Sequence, residues 1–229
     1  MALYHIISVF RNMTWSHLAA RSLDSEKWLD AHRNAPSLSH NPRGHTLGII
    51  GLGNIGYAIA QKAFNAFGMR VLYNDVARKT TKQEQAIQAT FYEHLEHMLN
   101  VSDCVLLATP FSGSALITAS TLAQFKAGSR FVNIARGSLV DEEALADAIE
   151  SGHLSAAGLD VHAREPRVSE RLVKSWNVTV TSHSGGGAFE TVVGFERLAM
   201  ENVERILTGE PALTGVNGHL MKQYTNRNT

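Results

Sequence analysis

Thr46-Leu47-Gly48-Ile49-Ile50-Gly51-Leu52-Gly53-Asn54-Ile55-Gly56 is an apolar run that ends in three glycines at G-x-G-x-x-G spacing. It reads as a strand turning directly into a helix. Gly51 permits the tight turn, Gly53 lets a pyrophosphate approach the backbone with no side chain between, and Gly56 lets the helix lie close to the sheet. The first N–H groups of that helix, around Asn54 and Ile55, lack intrahelical partners and would receive the anion.

Glycines also mark ordinary turns, so the spacing alone is a weak signal. Its surroundings strengthen it. Tyr57 to Met69 reads as a helix with Ala60 and Ala63 toward a sheet, and Val71-Leu72-Tyr73-Asn74 as a second strand. Asp75 then follows Gly56 by 19 residues, where a carboxylate accepts hydrogen bonds from an adenosine ribose. Dinucleotide binding is the expectation. Asp75 favours NAD, because it repels a 2′-phosphate, although Arg78 and Lys79 follow closely enough to attract one and leave NADP as the lesser alternative.

The chain has 229 residues, 44% of them apolar, enough for a sizeable core. Lys plus Arg equals Asp plus Glu at 21 each, so no basic field points to nucleic acid or an anionic membrane. The expected partner is a small molecule. Cys104, the one cysteine, sits in an apolar run, with no disulfide framework and no zinc spacing around it. No run reaches the roughly 18 apolar residues of a membrane span, and a cytoplasmic protein is expected.

Residues 2 to 20 place Leu3, Ile6, Ile7, Phe10 and Leu18 compatibly with one helix buried on one side. The segment from Asn34 to Gly44, with Pro36, Ser37, Ser39, Asn41 and Pro42, reads as a connection. From Thr46 onward strands and helices alternate, which predicts a doubly wound parallel sheet. Helices are expected over Gln83 to Ala89, Glu93 to Leu99, Ser120 to Lys126, and from a cap at Asp141 to Gly152. Strands are expected at Thr90-Phe91, from Cys104 to Thr109-Pro110, from Arg130 to Ala135, from Leu154 to Leu159, and from Asn177 to Thr181. A last helix, Ala188 to Leu207, would carry Phe195, Ala199, Val203 and Ile206 on one face.

Arg136, Glu165 and His183 each lie at or just beyond the carboxyl end of an expected strand, the edge that also holds the glycine loop and where such folds bind ligands. Singly each has a bland reading as a surface or turn residue. Together they suit reduction of a 2-oxo acid. A guanidinium forks onto a carboxylate and polarises a carbonyl, and a histidine titrating near neutrality, oriented by a carboxylate, protonates the new alkoxide.

Four ordered motifs resemble the D-isomer-specific 2-hydroxyacid dehydrogenases over nearly the entire chain: the glycine loop with Asp75, Asn133-Ile134-Ala135-Arg136-Gly137, Gly158-Leu159-Asp160-Val161 followed by Glu165-Pro166, and Thr181-Ser182-His183. Ile7-Ser8-Val9-Phe10-Arg11, Asn41-Pro42-Arg43-Gly44-His45, Asp160-Val161-His162 and Glu196-Arg197-Leu198 are similar to fungal D-mandelate dehydrogenases and related 2-oxo-acid reductases. The resemblance implies that Arg136 binds substrate, that His183 is the acid/base and that Glu165 is its partner. It places Asp160 near the nicotinamide carboxamide, and Thr109, Pro110 and Ala135 along the cofactor cleft.

Family members begin with part of a substrate domain, whereas this chain opens near the crossing into the cofactor domain. The implied division is a helical arm and connection (1–44), a Rossmann NAD-binding domain (45–187) and a C-terminal helix and tail (188–229) returning toward a remnant of the substrate domain. The cofactor domains of the family form a homodimer, with roughly Leu3 to His40 taking part. Two alternatives stay open: an NAD-binding dimeric remnant with impaired catalysis, and a corepressor-type scaffold, to which the neutral charge balance gives little support.

Overall fold

The computed structural model describes residues 1–110 and 113–215. Its strands are β1 (Thr46–Ile50), β2 (Arg70–Asn74), β3 (Thr90–Phe91), β4 (Cys104–Leu107), β5 (Ser129–Asn133), β6 (Leu154–Leu159) and β7 (Val178–Val180). They form one sheet in the order β3-β2-β1-β4-β5-β6-β7, parallel at every pairing. The doubly wound Rossmann architecture is therefore present, with the order reversing between β1 and β4, the switch point beside which such folds bind ligands.

Helices α1 (Ala2–Arg11), α2 (Met13–Arg21) and α3 (Ser25–Leu38) precede the sheet. Its crossovers carry α4 (Asn54–Phe67), α5 (Thr81–Ala86), α6 (Leu95–Leu99), α7 (Ala119–Leu122), α8 (Glu142–Glu150) and α9 (Glu170–Lys174). Because side chains alternate along a strand, Leu47, Ile49, Leu106 and Val132 enter one apolar cluster and Ile50, Val105, Leu107 and Phe131 another on the opposite face. Residues from Gly186 onward form a second unit containing α10 (Phe189–Leu207), which buries none of its residues. The apolar face expected on it, Phe195, Ala199, Val203 and Ile206, is exposed.

Three local expectations are corrected, and one helix, α9, is an addition. The opening helix is two helices, because Asn12 takes a left-handed backbone with φ 48°, a conformation asparagine tolerates better than most residues. The connection expected from Asn34 is helical as far as Leu38, with Pro36 inside α3. Pro36 removes the N–H that would bond the His32 carbonyl, two residues before the helix ends, and the Ser37 hydroxyl donates to the Asn34 carbonyl at 2.8 Å. The helix expected over Ser120 to Lys126 ends at Leu122. The short α9, with only Leu172 buried, lacks the repeated apolar spacing that would have announced it.

The buried face of α1 is more polar than the apolar pattern implies. Ile6, Val9 and Phe10 join the core beside β1 and β4, but fully buried His5 and Ser8 lie on the same face. Both reach the last strand: His5 Nε2 is 3.0 Å from Thr181 Oγ1 and Ser8 Oγ 2.6 Å from Thr179 Oγ1. Gly158 in β6 makes the room, since a Cβ there would lie 3.0 Å from the His5 ring.

Candidate active site

The three glycines of the loop act differently. Gly51 has φ 91°, and a side chain on it would press within 2.9 Å of the Thr109 backbone, so β1 and β4 can end side by side only with glycine there. A Cβ at Gly56 would meet the Gly51 carbonyl at 2.2 Å. Nothing lies within 4 Å of the place where a Gly53 Cβ would stand. Gly53 is the N-cap of α4 and offers no side-chain cap. The exposed residues Gly53, Asn54 and Ile55 thus form an open cradle of backbone donors. Thr109 adjoins this loop, and the exposed Pro110 follows it.

At the end of β2, Asp75 is held inward. Its Oδ2 accepts the Leu52 N–H at 2.9 Å, and Lys79 Nζ lies 3.0 Å from the same oxygen. Burial alone would raise the Asp75 pKa, but the bonds from Lys79 and the Leu52 amide together outweigh it and hold the carboxyl below the usual range. Arg78 turns to Glu84 instead, Nε to Oε1 and Nη2 to Oε2, both 2.9 Å.

The remaining groups leave adjacent strands, β5, β6 and β7, at one edge of the sheet. Hydrogen bonds continue past the strand ends: Asp160 N–H donates to the Asn133 carbonyl and Thr181 N–H to that of Leu159. Asn133, which carries no role in the sequence reading, ties the end of β5. Its Oδ1 accepts the Ala135 N–H at 2.9 Å and its Nδ2 donates to the Arg136 carbonyl at 3.1 Å. Ala135 is buried by this turn. Arg136 emerges exposed, one guanidinium N–H spent on the Ala135 carbonyl at 2.6 Å. Gly137 lets the chain at His162 pass, because a Cβ there would sit 1.9 Å from the His162 carbonyl carbon.

Glu165 bridges two histidines. Oε1 accepts the His162 N–H at 3.0 Å and Oε2 lies 2.9 Å from His183 Nδ1. The bond from His183, then that from His162, keeps the Glu165 carboxyl below its ordinary pKa. It is ionised at neutral pH and can only accept, so Nδ1 carries the hydrogen and Nε2 faces away from the pair. His183 has φ 54° and a side chain 45% exposed.

Asp160 is sealed. Only 2% of it is exposed, and Oδ1 accepts from the Thr181 hydroxyl at 2.6 Å and the Ser184 N–H at 3.0 Å, Oδ2 from the Gly185 N–H at 2.9 Å. Burial works to raise its pKa, yet these three donors prevail and the carboxyl stays below its usual range. The carboxylate thereby holds the loop on the far side of His183.

Residues 3–185 match the family model described as D-isomer specific 2-hydroxyacid dehydrogenase, NAD binding domain. The chain belongs to this family. It is 39% identical over 187 residues to a glyoxylate reductase of Thermococcus gammatolerans, covering 81% of this chain and 55% of that protein. Over 178 residues it is 38% identical to glyoxylate/hydroxypyruvate reductase B of Escherichia coli, covering 76% and 54%. The crystal structure of holo Rhodotorula graminis D-mandelate dehydrogenase superposes with a TM-score of 0.92 at 44% identity, over 94% of this chain and 64% of that one. The chain therefore spans about half the length of the curated reductases it matches.

NAD is the cofactor of the family domain, and the residues present fit it. The uncapped start of α4, open at Gly53, suits a pyrophosphate. Among the described residues no group of three or more His, Cys, Asp or Glu is arranged to hold a metal ion, and no helix is long and apolar enough to cross a membrane.

Proposed function

We propose that this dehydrogenase chain carries the cofactor and acid/base part of a reductase that converts 2-oxo acids to D-2-hydroxy acids. The observation that carries the reading is the Glu165–His183 pair, which fixes the imidazole tautomer and leaves Nε2 for the substrate. When bound, NADH supplies the hydride for the carbonyl carbon. His183 Nε2 gives its proton to the carbonyl oxygen as negative charge develops there, and Glu165 orients the ring through Nδ1. Arg136 binds the substrate carboxylate through the guanidinium N–H groups not spent on Ala135 and draws charge toward the carbonyl. Asp75 takes the adenosine ribose, while Gly51, Gly53, Asn54, Ile55 and Gly56 take the pyrophosphate. Thr109, Pro110 and Ala135 line the cleft. Likeness to mandelate dehydrogenase favours an aromatic or otherwise bulky 2-oxo acid.

Oxidation of NADH by the 229-residue chain, with glyoxylate, phenylpyruvate and benzoylformate, tests this reading. His183→Ala is expected to lower turnover at least about 100-fold while NADH binding, followed by its fluorescence, persists. Binding without turnover on any acid would instead support a second reading, an NAD-binding protein with impaired catalysis. The exposure of Arg136 and His183 favours that alternative, since water weakens the electrostatics the reaction needs. A homodimer through residues 3–40 fits the exposed Met13, Leu18, Leu23, Trp28 and Leu38 in that segment.

A further inference from the structure

We propose that Glu84 is a specificity-determining residue that keeps the site selective for NAD by withholding Arg78 from the cofactor. The inference rests on the reading that Asp75 takes the adenosine ribose. An arginine close to that acid is the side chain that accommodates a 2′-phosphate, and Arg78 stands three residues further on. Here its guanidinium is fully forked onto Glu84 through two bonds of 2.9 Å, the geometry that a phosphate would also demand.

The two partners are unequal. The Glu84 side chain is 10% exposed and that of Arg78 64%. Glu84 is further anchored by the hydroxyl of fully buried Tyr73, which donates to Oε1 at 2.7 Å and itself accepts the Lys79 N–H at 2.8 Å. Arg78 also lies over the Phe91 ring, 5.9 Å from its centroid. The carboxylate is thus a fixed post, and the arginine a surface side chain that goes where the post holds it. Lys79, the other nearby cation, is paired with Asp75. Asp75 repels a 2′-phosphate directly, and Glu84 denies it the cation that would offset the repulsion.

The test is titration of the full chain with NADH and with NADPH, read by cofactor fluorescence and needing no turnover. Glu84→Gln keeps an acceptor for Tyr73 but removes the charge that holds Arg78. NADPH is expected to bind about tenfold tighter, the worth of one charge-assisted hydrogen bond, with NADH changed less than about twofold. Adding Arg78→Ala should abolish the gain. In the parent chain, Arg78→Ala should leave both affinities unchanged, a variant on an exposed side chain that leaves the core intact. The proposal is overturned if folded Glu84→Gln gains no NADPH affinity, if the gain survives Arg78→Ala, or if Arg78→Ala alone weakens NADPH. Asp75→Ala separates the premise: if it weakens NADH while Glu84→Gln leaves NADPH unmoved, the ribose reading stands and the role of Glu84 falls. If it changes neither affinity, both fall.

Discussion

Asp75 and Asp160 each follow the carboxyl end of a strand, β2 and β6, and each has its pKa held down by hydrogen bonds against the pull of burial. Their partners differ. Asp75 has the Leu52 N–H at 2.9 Å and the ammonium of Lys79 at 3.0 Å, so a ribose hydroxyl can enter by displacing a side-chain cation rather than backbone. Asp160 has a hydroxyl and two backbone N–H groups from a loop it holds in place. One carboxylate is exchangeable and the other is structural. Strand-end position does not decide between them; the kind of donor does, a lysine ammonium in one case and a hydroxyl and loop backbone in the other.

The largest expected effect falls on the sealed end. Asp160→Asn puts an amide N–H against donors that need an acceptor and removes a buried charge they stabilise, a loss of about 3 kcal/mol that lowers Tm by roughly 10 °C. Since the folded pKa of Asp160 is depressed, this stability is present above the ordinary carboxylate range and is lost as pH falls through the folded value. Thermal melts of parent and variant should therefore converge in acid. A difference in Tm that persists unchanged to low pH would contradict the structural assignment.

His5 sharpens the same end. Burial pushes its pKa down to about 4, against the partial opposition of Asp160. It is neutral when folded and protonates near 6.5 when unfolded. Stability from this residue is complete above that pH and is lost as pH falls toward 4, by at most about 3 kcal/mol. His5→Gln should flatten the stability profile across that window; an unaltered slope would assign the acid sensitivity elsewhere. The smallest effect is expected at the open end. Asp75→Asn should weaken NADH about tenfold, or about 1.4 kcal/mol, with Tm within about 2 °C. If Asp75→Asn melts as early as Asp160→Asn, the contrast between the two carboxylates is broken.

The sheet was legible because its strands are continuous apolar runs between turn residues, and the glycine loop because three backbone constraints coincide in three residues. His183 and Glu165, expected from the sequence as partners, are brought together at 2.9 Å. What the sequence hid was direction. The family resemblance places Asp160 near the nicotinamide carboxamide, and nothing in Gly158-Leu159-Asp160-Val161 says that Thr181, Ser184 and Gly185 surround its oxygens. Arg78 reads as a free cation because its partner, Glu84, belongs to a different local pattern, the capped turn of α5. His5 and Ser8 interrupt an apolar face, and only the packing of α1 against β6 and β7 reveals that His5 Nε2 and the Ser8 hydroxyl meet threonines far along the chain.

That last contact also orders events in time. The bonds from α1 to β7 join residues separated by 176 and 171 positions, so α1 is synthesised long before the strand that completes its burial. At about 5–20 residues per second, His5 and Ser8 wait on the order of ten seconds or more for their threonines, and Ile6, Val9 and Phe10 nearly as long for β5 and β6, on which α1 packs most. Closure between such distant segments is slow in its own right. Throughout that interval the nascent chain presents a sticky helix to whatever surrounds the ribosome.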